Sequence, residues 1–339
     1  MHGVNYTKGG QRMALGYNGG RSGFFEVVMK TIGPADLQGL YRPPADSHKG
    51  QNGRLLVIGG SKLFHSSIFW TADVASRIVD LVHFSSPAME NNDLVRKRTK
   101  EKFWNGIVVP WERVEEYILE DDCVVIGPGM PRREGLEVGE QPTEEIVNGL
   151  LQKFPGKRWV IDGGALQEVD PGLFNDNMIV TPHGGEFRRL LSKIKSLIFK
   201  VPFDSFDEAQ DKFAQGKQNY SSKLKINDGQ LAHLVGEVSK YLGGVTVLLK
   251  GKKDIICWGE ECVVVEGGNE GMTKGGTGDV LAGLVGALYC KDEAFLAAKA
   301  GSFINKQAGD RLFRRVGPYF NAGDLVAEVP AVMKEVLAY

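Results

Sequence analysis

The sequence predicts a single-domain α/β fold in which a central, mostly parallel β-sheet carries helices on both faces. Two observations support this prediction. Short apolar segments alternate with helical patterns along most of the chain, and a glycine-rich loop precedes an apolar helix near the C-terminus. Alternation is typical of parallel sheets because each parallel connection needs a crossover, which is usually a helix. A chain of 339 residues could hold two domains, but α/β folds of this length are commonly single.

Seven apolar segments are predicted to be strands, and two more form a hairpin after them. The seven strands are expected at residues 54–59, 81–85, 106–109, 123–126, 159–161, 178–180 and 245–249. The hairpin is expected at residues 254–258 and 262–265, on either side of Gly259 and Glu260. Ligands of such sheets bind at the carboxyl ends of the strands. The residues that follow these strands should therefore meet at one rim.

Two segments lie outside this pattern. Residues 1–45 are glycine-rich with little periodicity and end in Arg42, Pro43 and Pro44, which is typical of a linker. We therefore expect an N-terminal extension at 1–45 and the domain at 46–339. Residues at about 195–228 form a polar, lysine-rich insertion, which is either a solvated surface segment or a lid or subunit contact.

Composition excludes several classes of function. A net charge of −1 gives no electrostatic basis for binding nucleic acid or acidic membranes. The first residues lack the apolar core of a secretory signal, and no apolar run is long enough to span a bilayer. Cys123, Cys257, Cys262 and Cys290 show no CxxC spacing, so we expect reduced thiols and a cytoplasmic location. Pairing of Cys257 with Cys262 across the hairpin is the alternative.

The segment 271–283, GMTKGGTGDVLAG, has the pattern of an anion-binding site. Glycines let a ligand approach the backbone closely, and the first turn of a helix leaves N–H groups unpaired. The helix dipole adds roughly half a positive charge there, which favours a phosphoryl group in transfer. Asp279 lies beside these amides and is the candidate general base for a substrate hydroxyl. Alternatively, the segment is a glycine-rich turn whose aspartate caps the helix.

Six ordered segments together resemble the ribokinase-like superfamily, and within it the ADP/ATP-dependent NAD(P)H-hydrate dehydratases. Besides GMTKGGTGDVLAG, they are SHKGQNGRLLVIGGS (47–61), VVIGPGM (124–130), VIDGGAL (160–166), TPHGGEFRRL (181–190) and TVLLKGKKDII (246–256). The resemblance runs from about residue 47 to the C-terminus. It implies a ribokinase-like fold.

The resemblance also implies a reaction. The family dehydrates the S form of hydrated NADH or NADPH: ADP or ATP phosphorylates the C6 hydroxyl, and loss of phosphate restores the reduced ring. The products are NAD(P)H, AMP or ADP, and phosphate. The resemblance further implies Mg²⁺, a homo-oligomer that is a tetramer or larger, and a separate NAD(P)H-hydrate epimerase as pathway partner. The sequence does not decide between ADP and ATP.

The resemblance assigns residues to three roles, with Asp279 as the catalytic base. Nucleotide contact is expected from Lys250, Gly251, Lys252, Lys253, Asp254, Asn269, Glu270, Gly271, Met272, Thr273, Lys274, Gly275, Gly276, Thr277 and Gly278. Substrate contact is expected from Ser67, Gly129, His183, Gly184, Gly185, Glu186, Phe187, Arg188, Arg189 and Asp279. The structural alternatives are a capped helix at residues 183–189 and a solvated turn at residues 250–254.

The expected metal site is the weakest part of the match. Asp162 or Glu186 could hold Mg²⁺ through water. However, the family usually has Asp-Ala-Asp where this chain has Asp162, Gly163 and Gly164. Asp162 is therefore either a metal-facing carboxylate or the cap of a helix or turn.

Two rival functions share the same motifs. The first is a ribokinase-like small-molecule kinase that acts on a thiazole or pyrimidine alcohol and releases the phosphate ester. The second is a non-catalytic nucleotide-binding subunit. The complete GGTG segment followed by Asp279 favours an enzyme, because a binding module needs the amides but not the base.

Overall fold

The computed structural model describes residues 29–101, 105–198 and 227–338, and within these ranges ten strands form one sheet. The spatial order is β1-β10-β9-β8-β7-β6-β5-β2-β3-β4, and only β9 runs against its neighbours. The mostly parallel sheet and the hairpin are thereby confirmed. The strands are β1 (Lys30–Thr31), β2 (Arg54–Ile58), β3 (Leu81–Ser85), β4 (Ile107–Val108), β5 (Cys123–Ile126), β6 (Arg158–Ile161), β7 (Met178–Val180), β8 (Thr246–Leu249), β9 (Asp254–Trp258) and β10 (Glu261–Val265).

Helices cover both faces of the sheet, as the alternation predicts. Successive strand residues point to opposite faces, so Leu55 and Val57 join one apolar cluster while Leu56 and Ile58 join the other. The first cluster packs under α1, α8, α9 and α10, and the second under α3 to α7. The helices are α1 (His65–Ala75), α2 (Met89–Glu101), α3 (Val114–Glu120), α4 (Thr143–Lys153), α5 (Gly163–Glu168), α6 (Gly184–Ile198), α7 (Asp228–Tyr241), α8 (Thr277–Tyr289), α9 (Ala294–Val316) and α10 (Ala322–Val336).

The central strands are buried on both sides. All four residues of β5 and all four of β8 are buried, which is why these segments have continuous apolar sequences rather than alternating ones. Helix α8 is apolar from Val280 to Tyr289 because it packs between the sheet and α1. None of the helices described here is both long and apolar enough to cross a membrane.

The described part of the N-terminal extension packs onto the domain. Strand β1 pairs in parallel with β10, and the side chains of Leu37 and Leu40 are buried in the first cluster. The sequence did not predict this strand, because two residues carry no periodicity. Residues 1–28 lie outside the described ranges, as do residues 199–226 of the predicted insertion, so the boundary at 46 and the role of the insertion stay predictions.

The expectation of four reduced cysteines is wrong for one pair. Cys257 and Cys262 form a disulfide, while Cys123 and Cys290 are free and buried. The antiparallel register of β9 and β10 places Cys257 opposite Cys262, with their Cα atoms 4.2 Å apart. Residues facing each other across such strands have adjacent Cβ atoms. The short turn of the hairpin therefore brings the two sulfur atoms within bonding distance.

Helices α1 and α8 cross in close contact. A Cβ atom placed on Gly283 would lie 2.3 Å from the carbonyl oxygen of Thr71 and 2.7 Å from Cγ1 of Val74. At the same crossing, Oγ1 of Thr71 donates to the carbonyl oxygen of Asp279 at 3.1 Å. Only a residue without a side chain lets the two helices approach this far. The crossing therefore fixes the start of α8 against α1.

Gly283→Ala should lower the free energy of unfolding by about 1–3 kcal/mol, because the added methyl group has no space at the crossing. The matched control is Gly149→Ala in α4, where an added Cβ atom has no neighbour within 4 Å. That change should stabilise the protein by about 0.5–1 kcal/mol through helix propensity. Urea unfolding of both variants measures the difference, and two stabilised variants would show that the crossing has room.

Candidate active site

The N-terminus of α8 begins at a glycine in a left-handed conformation. Gly276 has a φ angle of 95°, and a Cβ atom there would lie 2.5 Å from Cε3 of Trp70. Gly275 faces open space, since a Cβ atom on it would have no neighbour within 4 Å. The N–H groups of Gly275, Gly276 and Gly278 donate to no partner among the described residues. The loop therefore presents free backbone donors to an open crevice, as an anion site requires.

Side chains hold this loop from behind. Oγ1 of Thr277 donates to the carbonyl oxygens of Met272 and Lys274, at 2.7 and 3.0 Å. The ammonium of Lys274 donates to the carbonyl oxygen of Phe320 at 2.6 Å and lies 5.4 Å from its ring centre. Both polar groups are thus engaged within the protein. The loop can contact a phosphate through its backbone.

The preceding turn is anchored to α9. Nδ2 of Asn269 donates to Oδ1 of Asp310, and Oδ1 of Asn269 accepts from the N–H of Gly271, each at 3.0 Å. A Cβ atom on Gly271 would lie 2.4 Å from the Phe320 ring. Glu270 and Thr273 close the turn, with Oγ1 of Thr273 donating to the Glu270 carbonyl oxygen at 2.8 Å. Sequence reasoning missed Asp310, an isolated acid in a helix.

Asp279 lies in the first turn of α8 with a perturbed carboxyl group. Burial and the negative charge of Asp162 raise its pKa to about 6, against opposing effects of Ser67 and Lys250. Ser67, in α1, faces this carboxylate, and its hydroxyl lowers the pKa of Asp279. The sequence predicted Ser67 and Asp279 as members of one site, and the structure brings them into contact. A carboxyl group that titrates near neutral pH suits a general base.

Lys250 supplies the positive charge in a cluster of carboxylates. Its Nζ atom donates to Oδ1 of Asp162 at 2.8 Å and lies 4.0 Å from Oε2 of Glu186. It also faces α8, since a Cβ atom on Gly278 would lie 3.6 Å from it. Burial alone would lower the pKa of Lys250, but the charges of Asp162 and Glu186 outweigh burial and raise it. Lys250 therefore remains charged.

Asp162 directly follows β6 and lies at the centre of this cluster of carboxylates. Oγ1 of Thr181 donates to its Oδ1 atom at 2.7 Å, the same atom that accepts from Lys250. Asp162 also stands at the start of α5 without a capping hydrogen bond from its side chain. Of the two interpretations from sequence, the structure does not show the cap. The sequence did not predict that Thr181 would be a partner of Asp162, or Gln167 a partner of Glu186.

Some side chains of residues 183–189 lie at the rim, and others are buried in the core. Nδ1 of His183 accepts from the N–H of Gly185 at 2.9 Å, so a neutral ring carries its proton on Nε2. Burial and the charge of Lys250 lower the pKa of His183, which favours this neutral form. Nε2 of His183 lies 3.5 Å from Oε1 of Glu186, and the His183 side chain is 55% exposed at the rim.

Glu186 caps the start of α6. Its Oε2 atom accepts from the N–H of His183 at 2.8 Å, and its Oε1 atom accepts from Nε2 of Gln167 at 3.1 Å. Burial raises the pKa of Glu186, and the charge of Lys250 opposes that rise. Phe187 next to it is 1% exposed and packs in the core, so its side chain does not line the rim. Gly184 is half-buried, and Arg188 and Arg189 are exposed on α6.

The turn after β8 is fixed by a lysine that the sequence did not single out. Lys306 of α9 is buried, and its Nζ atom donates to the carbonyl oxygens of Gly251, Lys252 and Gly267 at 3.1–3.2 Å. It also pairs with Oδ1 of Asp254 at 3.3 Å. Lys306 thus joins the β8–β9 turn to the loop before α8.

The side chains of this turn point in different directions. Asp254 is buried, accepts from Ser302 at 2.7 Å and from the N–H of Gly251 at 2.9 Å, and so serves the fold. Lys253 pairs at the surface with Glu266 at 3.0 Å. Lys252 is exposed. Among the cations of the turn, Lys250 contacts the cluster of carboxylates.

The turn after β5 packs against α1. Gly129 has a φ angle of 70°, and a Cβ atom on it would lie 2.4 Å from the carbonyl oxygen of Phe64 and 3.0 Å from Cβ of Ser67. Glycine is therefore required both by conformation and by space. The predicted substrate residues Ser67 and Gly129 are neighbours at the rim.

The rim does not form a metal site made by protein side chains. Across the described ranges, no group of three or more His, Cys, Asp or Glu side chains is arranged to hold an ion. Both Glu186 oxygens accept hydrogen bonds, and the ammonium of Lys250 already balances the acids. Direct coordination of Mg²⁺ by Asp162 and Glu186 therefore does not fit the observed contacts.

The fold and this rim define an α/β protein of the ribokinase-like class, with a carboxylate beside a helix N-terminus that has free N–H groups. The model of the NAD(P)H-hydrate dehydratase family matches residues 55–331, so the chain belongs to that family. A structure of the ADP/ATP-dependent NAD(P)H-hydrate dehydratase from Bacillus subtilis, co-crystallised with ATP and Mg²⁺, shares the fold. Its TM-score is 0.66 at 20% identity, over 91% of this chain and 99% of that one.

Curated relatives agree with the family. The ADP-dependent (S)-NAD(P)H-hydrate dehydratase of Nitrosopumilus maritimus is 34% identical over 85% of this chain and 91% of its own length. The bifunctional NAD(P)H-hydrate repair enzyme of Methanocaldococcus jannaschii is 32% identical over 89% of this chain, but over 52% of its own length. The chain thus spans about half the length of the bifunctional relatives.

The carboxyl group of Asp279 should titrate near pH 6, because its pKa is raised to about 6. Ser67→Ala and Lys250→Met each remove a group that lowers this pKa, so both should move the titration to higher pH. The ¹³C shifts of aspartate carboxyl carbons measure it, with Asp279→Asn identifying the signal. Ser192→Ala and Lys291→Met, which alter surface residues elsewhere, should leave it in place.

The same shift has a consequence for stability. Because the folded state raises this pKa from 3.8 to about 6, the folded protein binds this proton more tightly than the unfolded chain. The contribution of Asp279 to stability is therefore greatest below pH 3.8 and falls as the pH rises to about 6. A titration of Asp279 near pH 4 would contradict both statements.

Proposed function

We propose that this chain catalyses the nucleotide-dependent dehydration of (S)-NAD(P)H hydrate. The observation that carries the proposal is the Asp279 carboxyl group, with a pKa raised to about 6, beside the free N–H groups at the start of α8. Membership of the NAD(P)H-hydrate dehydratase family supports the substrate. A base next to an anion site is what phosphoryl transfer to an alcohol needs.

The proposed reaction has two stages. Asp279 takes the proton of the C6 hydroxyl while that oxygen attacks the terminal phosphorus of the donor. The amides of Gly275, Gly276 and Gly278 stabilise the charge on the transferring group. The lone pair of the ring nitrogen then expels phosphate from C6, and loss of a proton from C5 to solvent re-forms the C5–C6 double bond and restores the reduced nicotinamide. Ser67 orients the carboxylate of Asp279, and Lys250 limits the charge that collects around it.

The remaining site residues have proposed places in this scheme. The backbone of residues 269–278 and the turn at 250–253 hold the nucleotide, whereas Asp254 shapes that turn from inside. Gly129, His183, Gly184 and Gly185 line the substrate side, and Arg188 and Arg189 stand at its outer edge. We propose ADP as the first donor to test, because the relative from Nitrosopumilus maritimus is named ADP-dependent.

Further parts of the proposal rest on the resemblance. Mg²⁺ would arrive with the nucleotide phosphates, with water linking it to the Asp162 carboxylate. The enzyme would work as a homo-oligomer in the cytoplasm, and an NAD(P)H-hydrate epimerase would supply the S form from the R form. The disulfide between Cys257 and Cys262 bears on the location of the protein and not on the proposed reaction.

The activity can be tested by the return of nicotinamide absorbance when hydrated NADH is mixed with ADP or with ATP. A small-molecule kinase of this class would leave that absorbance unchanged. Asp279→Asn should lower kcat by about 10²–10⁴-fold, because the base is lost. The control is Asp46→Asn, an exposed acid at a surface turn, which should keep full activity.

The pH profile gives an independent check. The base must be ionised, so kcat/KM should rise with pH through the pKa of about 6 and level off above it. An active Asp279→Asn enzyme, or a profile without this acidic limb, would remove Asp279 from the role of base.

A further inference from the structure

A cavity of about 350 Å³ lies between α1 and α2, beside the candidate active site. Its walls include Phe69, Trp70 and Asp73 of α1, and Asn91 and Leu94 of α2. Trp70 is shared with the active site, since its ring also packs against the backbone of Gly276. The cavity is therefore separated from the anion site by a single side chain.

The cavity combines aromatic walls with polar groups. Asn91 is 2% exposed, and its Nδ2 atom donates to the carbonyl oxygen of Ser61 and to Oγ of Ser86, at 3.2 and 3.1 Å. These bonds fix the amide orientation, and Oδ1 is left without a donor among the described residues. A buried acceptor without a donor costs about 1–3 kcal/mol.

The strand order shows on which side of the site this cavity lies, relative to the turn after β8. The cavity is lined in part by Asn91, whose amide donates to Ser86 just after β3, whereas Lys250 follows β8. Five strand spacings separate β3 from β8 in the sheet, which is about 24 Å at 4.8 Å per strand. Ser67 and Asp279 lie between these ends. A donor nucleotide on the β8 side thus leaves the β3 side open to the other reactant.

The proposed substrate is long enough to need this second region. Its reacting ring must lie at Asp279, so its adenosine half has to bind elsewhere. A volume of 350 Å³ is within the usual range for small-ligand pockets. Aromatic side chains such as Phe69 and Trp70 stack on bases, and a carboxylate such as that of Asp73 accepts hydrogen bonds from ribose hydroxyls.

We propose that the cavity between α1 and α2 binds the adenosine half of the hydrated dinucleotide. This inference rests on the proposed function and adds a subsite to it. Base stacking is worth about 1–3 kcal/mol, so the subsite should contribute about tenfold or more to kcat/KM.

The test compares hydrated NADH with hydrated reduced nicotinamide mononucleotide, which lacks the adenosine half. Leu94 is 52% exposed, so Leu94→Trp should fold normally while filling the cavity. We expect it to lower kcat/KM for hydrated NADH about tenfold, with no change for the mononucleotide and none in the KM for ADP. Leu119→Trp, at a 70% exposed position on α3, is the matched control.

Three results would overturn the inference. Equal losses with both substrates would show a general disturbance of the site, and no loss would show that the cavity does not bind substrate. A raised KM for ADP alone would assign the cavity to the donor. If the wild type turned over neither substrate, the proposed function would fail instead. Fluorescence titration of Asp279→Asn with NADH, with and without Leu94→Trp, would still measure binding in the cavity.

Discussion

The crossing of α1 with α8 determines the geometry of the candidate site. Thr71 donates to the backbone of Asp279 across 208 residues of sequence, and Gly283 allows the approach that this bond requires. The same approach brings the Ser67 hydroxyl to the Asp279 carboxylate. Packing of two helices therefore creates both the position of the Asp279 carboxylate and the burial that raises its pKa.

Charge balance at the rim explains why the Asp279 carboxylate suits the proposed role of base. Lys250 is one cation in contact with Asp162 and Glu186, and buried acids without such a partner would be costly. Because the ammonium is bound to Asp162 rather than to Asp279, the latter is only partly compensated. Its pKa is raised to about 6, where a carboxylate is more basic than usual yet ionised at neutral pH. The free amides of α8 then offset the charge of an arriving phosphoryl group.

The sequence predicted the sheet and the rim well because both depend on local patterns. Apolar runs located the strands, and the residues just after them, such as Asp162 and Lys250, do meet. What it missed depends on long-range contacts. Lys306 and Asp310 lie in α9, and their partners are backbone and side-chain atoms of distant loops. The disulfide likewise depended on strand register, which cysteine spacing alone does not reveal.

The two glycines after β6 have a packing explanation. Gly163 has a φ angle of 52°, and a Cβ atom on Gly164 would lie 2.1 Å from the carbonyl oxygen of Met130. The turn after β5 thus occupies the space that a side chain at 164 would need. An aspartate there would also add an acid to a rim whose three carboxylates already depend on Lys250. Close packing of the two turns and the charge balance around Asp279 therefore favour the same residue, glycine, at this position.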